Sequence, residues 1–288
     1  MPLELLSRFP QHQDPRPPLL FVHGAWHGAW CWDEHFLPYF AARGWAAYGL
    51  SLRGHGNSHG RAGLRWHRIA DYVDDVASVA AGLPRRPIVI GHSMGGCVVQ
   101  RYLETHEAPA AALLASVPPA GVLATVLRLL RRHPLTFLRM NLQMSLWPMV
   151  DSAHKAREHF FSETLPPAQL ERHAARLQDE AYRAFLDMLV FARPRPARVA
   201  RLPLLVLGAQ DDAVFLAQQV RYTAAAYGVE PQLIAGLAHD LMLDTRWEAA
   251  AERLLAWLED LAIAQPHAVP KAESVAATRP SKNTEGEA

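Results

Sequence analysis

One stretch of the sequence, residues 87–101, constrains the fold more than any other. It opens with an apolar, β-branched run, passes through Gly91-His92-Ser93-Met94-Gly95, and continues with residues that favour a helix ending near Glu104. A strand that turns this sharply into a helix strains its central residue and lifts that side chain above the sheet. Gly91 and Gly95 fit such a turn, because strand and helix pass too close together for a Cβ. The pattern predicts that Ser93 is presented at the end of a buried strand, as a nucleophile would be.

Short apolar runs of this kind recur along the chain and alternate with segments of helical periodicity. Strands are predicted at residues 3–9, 19–22, 44–51, 88–90, 111–117, 203–208 and 231–235. Helices are predicted at residues 33–43, 69–83, 216–227 and 245–263. Strands that alternate with helices predict an α/β fold with a mostly parallel sheet and right-handed crossovers.

Residues 120–195 interrupt this alternation, since they have a helical pattern and no convincing strand. We predict a core formed by 1–119 and 196–264, with a helical cap or lid at 120–195. Residues 265–288 are poor in apolar side chains and are predicted to be a disordered tail. A chain of 288 residues is long enough for one such core with an insertion.

The first part of the cap combines apolar side chains with four arginines, Arg128, Arg131, Arg132 and Arg139. One interpretation is an apolar face over an acyl pocket, with the arginines directed toward an anionic headgroup or membrane surface. The alternative is an ordinary amphipathic helix pair with a solvated basic face. The sequence leaves both open.

Composition excludes several classes of protein. A formal net charge of +1 gives no basic excess for nucleic acid binding. The two cysteines, Cys31 and Cys97, cannot form a disulfide framework. No leader-like N-terminus and no run of 18 apolar residues is present, so a soluble, cytoplasmic protein is expected. Since His-Glu-x-x-His, Cys-x-x-Cys and Gly-x-Gly-x-x-Gly are also missing, no metal or other cofactor is predicted.

A serine hydroxyl becomes a good nucleophile only when a base takes its proton and a third group orients that base. His239 follows the last predicted strand, and Asp211 and Asp212 directly follow the strand before it. Carboxyl ends of parallel strands share one edge of a sheet, so these side chains can converge on Ser93 there, in the expected chain order Ser, Asp, His. We predict Ser93, Asp211 and His239 as catalytic residues, with Asp212 as the alternative acid. Either aspartate would also serve as a helix N-cap.

An acyl-transfer site also needs backbone N–H groups directed at the developing oxyanion. Met94, after the serine, supplies one candidate amide, and Ala25, after the strand 19–22, supplies the other. Substrate contacts are predicted for Trp26, His92 and Trp147. Two further tryptophans, Trp30 and Trp32, suit either the pocket or the core.

Taken together, these motifs resemble the α/β-hydrolase family over roughly Leu19 to Ile263. The matching segments are His23-Gly24-Ala25-Trp26, Arg53-Gly54-His55-Gly56-Asn57-Ser58, Gly91-His92-Ser93-Met94-Gly95-Gly96, Gly208-Ala209-Gln210-Asp211-Asp212 and Ala238-His239-Asp240. The resemblance implies a mostly parallel sheet flanked by helices, with Ser93 as nucleophile, His239 as base, Asp211 as acid, and Ala25 with Met94 as the oxyanion hole.

Within that family, the segment that begins at His23 looks like the plant methylesterase and hydroxynitrile lyase branch. Two other segments, the loop near His55 and His239-Asp240-Leu-Met, look like those of bacterial lysophospholipases and monoacylglycerol lipases. The lyases carry a threonine where this chain has Gly24 and a lysine where it has Asp240, which favours an esterase. We expect a small-molecule ester as substrate. The alternatives are carbon–carbon bond hydrolysis or haloperoxidase-like chemistry by the same residues, and a non-catalytic binding protein of the same fold.

Overall fold

The structure, a computed structural model, describes residues 2–12 and 15–264 of the chain. The tail predicted at 265–288 lies outside the described residues. The seven strands are β1 (Leu5–Arg8), β2 (Leu19–Val22), β3 (Ala47–Leu50), β4 (Ile88–His92), β5 (Ala111–Leu114), β6 (Leu204–Ala209) and β7 (Pro231–Ile234). They form one sheet in the order β1-β3-β2-β4-β5-β6-β7.

Every neighbouring pair in this sheet is parallel except β1 with β3. In the register of the central strands, Val22 lies beside Gly91, and Gly91 lies beside Leu113. The residues that follow β2, β4 and β6 therefore emerge at the same edge of the sheet. This confirms the predicted α/β architecture and its mostly parallel sheet.

The core helices cover both faces of the sheet. They are α1 (Trp30–Asp33), α2 (Phe36–Ala41), α3 (Ile69–Gly82), α4 (Met94–Tyr102), α10 (Ala217–Tyr227) and α11 (Trp247–Ala264). Along β2, Leu19 and Phe21 belong to one hydrophobic cluster, whereas Leu20 and Val22 belong to the other. Successive strand side chains point to opposite faces, so a strand covered on both sides must be apolar throughout.

Trp30 and Trp32 are both buried in the first of these clusters. Trp32 packs against Phe21 with ring centroids 4.9 Å apart. Of the two interpretations that the sequence allowed, the core is the one that the structure supports.

Between β5 and β6 the described chain contains helices and turns but no strand. The helices are α5 (Leu123–Arg132), α6 (Pro134–Gln143), α7 (Ala153–Phe160), α8 (Pro167–Ala174) and α9 (Tyr182–Leu186). A π-helical turn, Asp187–Phe191, follows α9. We call this segment the cap; its predicted domain limits at 120 and 195 stay a prediction. Among the described helices, none is long and apolar enough to cross a membrane.

A buried carboxylate fastens the cap to the core. Glu180, 1% exposed, accepts hydrogen bonds from the Tyr72 hydroxyl at 2.9 Å and from the Trp26 amide at 3.3 Å. Nε2 of His55 lies 3.0 Å from the same carboxylate. Burial by itself would raise the pKa of Glu180, but His55 and the hydrogen bonds outweigh burial and lower it. The cap thus contributes an anion to a polar network that otherwise belongs to the core.

Candidate active site

Ser93 occupies a strained turn between β4 and α4. Its backbone has φ 53° and ψ −117°, a left-handed conformation that a residue with a side chain rarely adopts. A Cβ added at Gly91 would collide with the backbone of Gly95, and one added at Gly95 would collide with the carbonyl oxygens of Val22 and His23. The two glycines therefore let α4 begin directly above the sheet, as the sequence predicts.

Three side chains from separate loops form a hydrogen-bonded chain that ends at the serine. Nε2 of His239 lies 2.9 Å from Oγ of Ser93, and Nδ1 of His239 lies 2.8 Å from Oδ2 of Asp212. The other oxygen of Asp212 accepts from the amides of Val214 at 2.7 Å and Phe215 at 2.9 Å. All three side chains are buried. Because Asp212 accepts only, the proton of neutral His239 must be on Nδ1, which leaves Nε2 as the acceptor for the serine hydroxyl.

The structure places Asp212, not the predicted Asp211, on the histidine. After β6 ends, the amides of Gln210 and Asp211 still bond to carbonyls of the β7 segment, so the chain turns only at Asp212. The exposed Asp211 carboxylate accepts from the Gly236 amide at 3.0 Å instead. The prediction of Asp211 as the partner of His239 is wrong, because the extended pairing continues one residue farther than the apolar run indicates.

The loop after β2 brings the predicted oxyanion donors beside the serine, since Ala25 and Met94 both line the cavity that Ser93 faces. The histidine before Ala25 holds this loop in place. Nε2 of His23 accepts from the Leu52 amide at 3.1 Å, so its Nδ1–H donates to the Gly24 carbonyl at 2.7 Å. Burial lowers the pKa of His23 well below its ordinary value, and the neighbouring His55 lowers it further. His23 is therefore a neutral structural residue.

A second buried histidine in this loop, His27, bonds to acceptors through both ring nitrogens. His27 donates from Nδ1 to the Ala25 carbonyl at 2.7 Å and from Nε2 to Oδ2 of Asp240 at 3.0 Å. Burial opposes charge on both groups, but their mutual attraction outweighs it, so the pKa of His27 is raised and that of Asp240 is lowered. Asp240 follows His239 directly in the chain. The ion pair therefore joins the loop that carries Ala25 to the loop that carries the base.

His92 was predicted to contact substrate, and the structure contradicts this. It is 1% exposed, and its Nε2–H donates to the backbone carbonyl of His239 at 2.9 Å. Burial, with a smaller contribution from His239, lowers the pKa of His92 to about 3. The residue is a neutral support for the loop that carries His239, and it is not among the residues that line the cavity.

Potential metal-ligand atoms of His92, His239 and Asp240 lie within 4.8 Å of one another. Both ring nitrogens of His239 already bond to Ser93 and Asp212, and Nε2 of His92 bonds to a carbonyl. We therefore assign these groups to the hydrogen-bond network rather than to a metal.

A cavity of about 500 Å³ lies above Ser93, between the core and the cap. Of the two tryptophans predicted to contact substrate, Trp26 lines this cavity, whereas Trp147 is 37% exposed and is not among the residues that line it. The cavity wall is mainly apolar and comes largely from the cap: Val122, Val126, Leu129, Leu146, Met149, Phe160, Phe185 and Met188. The serine thus opens into an apolar chamber built by two parts of the chain.

Comparisons with known proteins agree with this geometry. The profile of the alpha/beta hydrolase family matches residues 19–253, well over half of the chain. A monoacylglycerol lipase of Mycolicibacterium smegmatis is 26% identical over 267 residues, which cover 85% of this chain and 89% of the lipase. A non-heme haloperoxidase of Rhodococcus erythropolis is 36% identical over 113 residues, which cover 36% of this chain and only 39% of the haloperoxidase.

Among solved structures, a thermophilic esterase from Thermogutta terrifontis matches with a TM-score of 0.69 at 18% identity, covering 90% of this chain and 93% of that chain. At this identity the likeness concerns the fold alone. Since the family profile spans most of the sequence and the sheet has the corresponding order and direction of strands, the chain belongs to the α/β-hydrolase family.

Proposed function

We propose that this protein is a serine hydrolase that cleaves a carboxylic ester through a covalent acyl-enzyme, without a cofactor. The observation that carries the proposal is the unbroken chain from Ser93 Oγ through His239 to Asp212, with Ser93 lining a mainly apolar cavity. A mainly apolar wall suits an ester with a hydrocarbon acyl or alcohol part.

The geometry assigns a role to each group. His239 takes the proton of Ser93 at Nε2 as the hydroxyl oxygen attacks the ester carbonyl, and later gives that proton to the leaving alcohol. Asp212 keeps His239 in the required tautomer and stabilises the imidazolium. The amides of Ala25 and Met94 stabilise the oxyanion, a contribution of about 3 kcal/mol for one such donor in other enzymes. Water then repeats the sequence on the acyl-enzyme and releases the acid.

Two positions favour ester hydrolysis over the lyase reaction of similar proteins. A Cβ at Gly24 would lie 2.8 Å from Nδ1 of His92 and 3.0 Å from Cβ of Ser93, so the threonine of the lyases has no room there. Asp240 stands where the lyases have lysine, and its carboxylate is held in the ion pair with His27. A cation at position 240 would repel His27 rather than attract it.

The outer surface of the cap supports contact with lipid. Six leucines of α5 and α6 are each between 40% and 75% exposed: Leu123, Leu127, Leu130, Leu135, Leu138 and Leu142. Their spacings of three or four residues place each set of three along one side of its helix. With exposed Arg131, Arg132 and Arg139 on the same helices, this surface fits a lipid layer with anionic headgroups.

The decisive test combines an active-site label with an ester series. Wild-type protein is expected to react with a fluorophosphonate and to hydrolyse p-nitrophenyl esters, while Ser93→Ala and His239→Ala should do neither at a measurable rate. The rate should vary with acyl-chain length, because the cavity wall is apolar. An unlabelled wild type would remove the nucleophile assignment and leave a binding protein of this fold. Labelling without turnover of any ester would favour carbon–carbon bond hydrolysis.

The similarity to a haloperoxidase supports a second candidate. Halogenation of a phenolic indicator, dependent on both peroxide and halide, would identify it. If that rate exceeded ester hydrolysis at matched concentrations and disappeared in Ser93→Ala, the oxidative reaction would replace the esterase assignment.

A further inference from the structure

Three arginines of α5 line the cavity above the serine. Arg128, Arg131 and Arg132 all contribute to its wall. Within residues 2–12 and 15–264, no carboxylate lies within ion-pair distance of any of the three. Two arginines of the cap outside the cavity wall differ, since Arg172 lies 2.6 Å from Glu34 and Arg183 lies 3.0 Å from Asp187.

Arg128 is the most informative of these residues because it is only partly exposed. Its Nη2 donates to the Val214 carbonyl at 2.5 Å, to Thr125 Oγ1 at 3.1 Å and to Gln219 Oε1 at 3.3 Å. All three acceptors are neutral, and all three bonds use one nitrogen of a group that has five N–H donors. Burial lowers the pKa of Arg128, and the opposing influence comes from Asp212.

The nearby carboxylates are already occupied. Asp212 accepts from His239 and from two amides, and Glu158 accepts from Nε2 of His133 at 2.7 Å. Partial burial of a guanidinium without its own counterion costs free energy, and an anionic ligand would offset that cost.

Helix-end electrostatics explains only part of the arrangement. Arg131 and Arg132 lie in the last turn of α5, where positive charge stabilises the helix dipole. Arg128 lies one turn earlier, and its side chain is bound to the loop that holds Asp212. Its bonds to that loop all use Nη2 and neutral acceptors, so they leave the charge of Arg128 without a counterion at the cavity wall.

We infer that the cavity accepts an ester that also carries an anionic group, a carboxylate or a phosphate, which binds at Arg128 with Arg131 and Arg132 while the ester carbonyl lies at Ser93. The inference rests on the proposed ester hydrolysis and specifies its substrate class. The cavity that Ser93 and these arginines share is otherwise lined mainly by apolar side chains, among them Val126 and Leu129 of the same helix. The substrate therefore has a hydrocarbon portion between its two polar ends. The anion can belong to a small acid or to a lipid headgroup, and both offer the same chemistry to a guanidinium.

The test uses matched esters that differ only in charge. For an anion on the acyl side, the 4-nitrophenyl monoester of adipic acid is compared with 4-nitrophenyl hexanoate. For an anion on the alcohol side, lysophosphatidic acid is compared with the monoacylglycerol of the same acyl chain. Each lipid is used below its own aggregation concentration. The wild-type protein should show a higher kcat/KM for the anionic member of at least one pair, and the pair that responds identifies the source of the anion.

Variants assign the preference to the arginines. We expect two variants to reduce the ratio of kcat/KM for the anionic ester to kcat/KM for the neutral ester: Arg128→Gln, and the double variant Arg131→Gln with Arg132→Gln. For Arg128→Gln the reduction should be about tenfold, because a charge-assisted hydrogen bond contributes about 1.5 kcal/mol or more. Arg172→Gln is the matched control, because Arg172 is exposed on α8, lies 2.6 Å from Glu34 and is not among the lining residues. Its ratio should equal that of the wild type.

Fluorophosphonate labelling of every variant shows whether the serine site is intact, so a misfolded Arg128→Gln is recognised and replaced by Arg128→Met, which also removes the charge. A wild-type protein that hydrolyses the neutral esters but shows no preference for either anionic one would overturn the inference and leave the esterase assignment in place. A preference that survives in all arginine variants would overturn it too. A wild type that neither labels nor hydrolyses any ester would refute the proposed function instead.

Discussion

At the scale of single residues, the site depends on which carboxylate has an oxygen left to accept a hydrogen bond from His239 after backbone amides have taken the other oxygen. Asp211 and Asp212 are chemically identical and adjacent, yet one is exposed and the other is 3% exposed. Asp212 gains two backbone amides through one oxygen and His239 through the other. This arrangement fixes its rotamer, which is what an orienting acid requires.

The two aspartates make a matched pair of variants. Asp212→Asn should reduce kcat for ester hydrolysis by roughly 10⁴-fold, because an amide can hold His239 in the wrong tautomer without changing its position. Asp211→Asn should remain within a few-fold of the wild type. Both are measured with the same p-nitrophenyl ester at saturating concentration. The reverse ranking would return the acid's role to Asp211.

The buried ion pair of His27 and Asp240 predicts a pH dependence of stability. Asp240→Asn should lower the free energy of unfolding by about 3 kcal/mol, because it leaves a buried cation without its partner. The raised pKa of His27 means that its contribution is complete below the unfolded value of 6.5 and is lost as pH rises through the folded value. The lowered pKa of Asp240 means that its contribution is complete above 3.8 and is lost as pH falls through the folded value.

The difference in stability between the wild type and Asp240→Asn should therefore be largest between pH 3.8 and 6.5 and smaller on either side. Urea unfolding at several pH values measures it. Glu259→Gln, an exposed change on α11, is the control and should show no such maximum. A difference that does not vary with pH would mean that His27 is neutral in the folded protein.

At the scale of elements, the cap covers the cavity and also holds the loop after β2 in place. We call residues 24–28 of this loop, which include the proposed oxyanion donor Ala25, the oxyanion loop. Trp26 has φ 66°, a conformation that is strained for a tryptophan. Its amide donates to Glu180, its carbonyl accepts from the Gln178 amide at 3.0 Å, and its Nε1 donates to the Leu146 carbonyl at 3.3 Å. All three partners belong to the cap, so the backbone next to Ala25 is set by an element distant in sequence.

Replacement of the carboxylate that fastens the cap should show this coupling. Glu180→Gln keeps the volume but removes the charge that binds His55, Tyr72 and the Trp26 amide. We expect faster backbone hydrogen exchange in two separate segments, 24–28 and 177–186, together with a lower kcat. Glu171→Gln, exposed on α8, is the control and should leave both segments unchanged. Faster exchange in the cap segment alone would show that the oxyanion loop holds its conformation without the cap.

At the scale of the whole molecule, the exposed leucines of α5 and α6 predict how the protein meets its substrate. The wild type should sediment with vesicles that contain anionic phospholipid, and more weakly with neutral ones, because apolar burial and charge act together. The double variant Leu135→Ser with Leu142→Ser should bind at least roughly tenfold more weakly, since each leucine contributes about 1.5 kcal/mol or more when buried.

The control for vesicle binding is Phe9→Ser, which removes an apolar side chain that is 62% exposed just after β1, at the edge of the sheet. It should bind vesicles as the wild type does. Equal binding by the leucine double variant and the wild type would mean that the cap surface is not the lipid contact.

The fold, and the meeting of Ser93 with His239, could be predicted from local sequence signals. Runs such as Leu19–Val22 are apolar at every position, and this pattern arises only in strands covered on both faces. Gly91 and Gly95 flank Ser93 because the turn has no space for a Cβ at either position. His239 was identified because it follows a strand at the same edge of a parallel sheet. These are local signals, and each depends on residues close together in the chain.

The aspartate that bonds to His239, the supports of the site and the wall of the cavity depend on tertiary packing instead. The choice of Asp212 over Asp211 depended on how far backbone pairing with the β7 segment continues, which involves residues more than 20 positions away. His27 meets Asp240 across 213 residues, and Glu180 meets His55 across 125. His92 and Trp147 were misplaced as pocket residues for the same reason. Which buried polar groups face one another is set by the packing of distant segments, and no local pattern of residues encodes that packing.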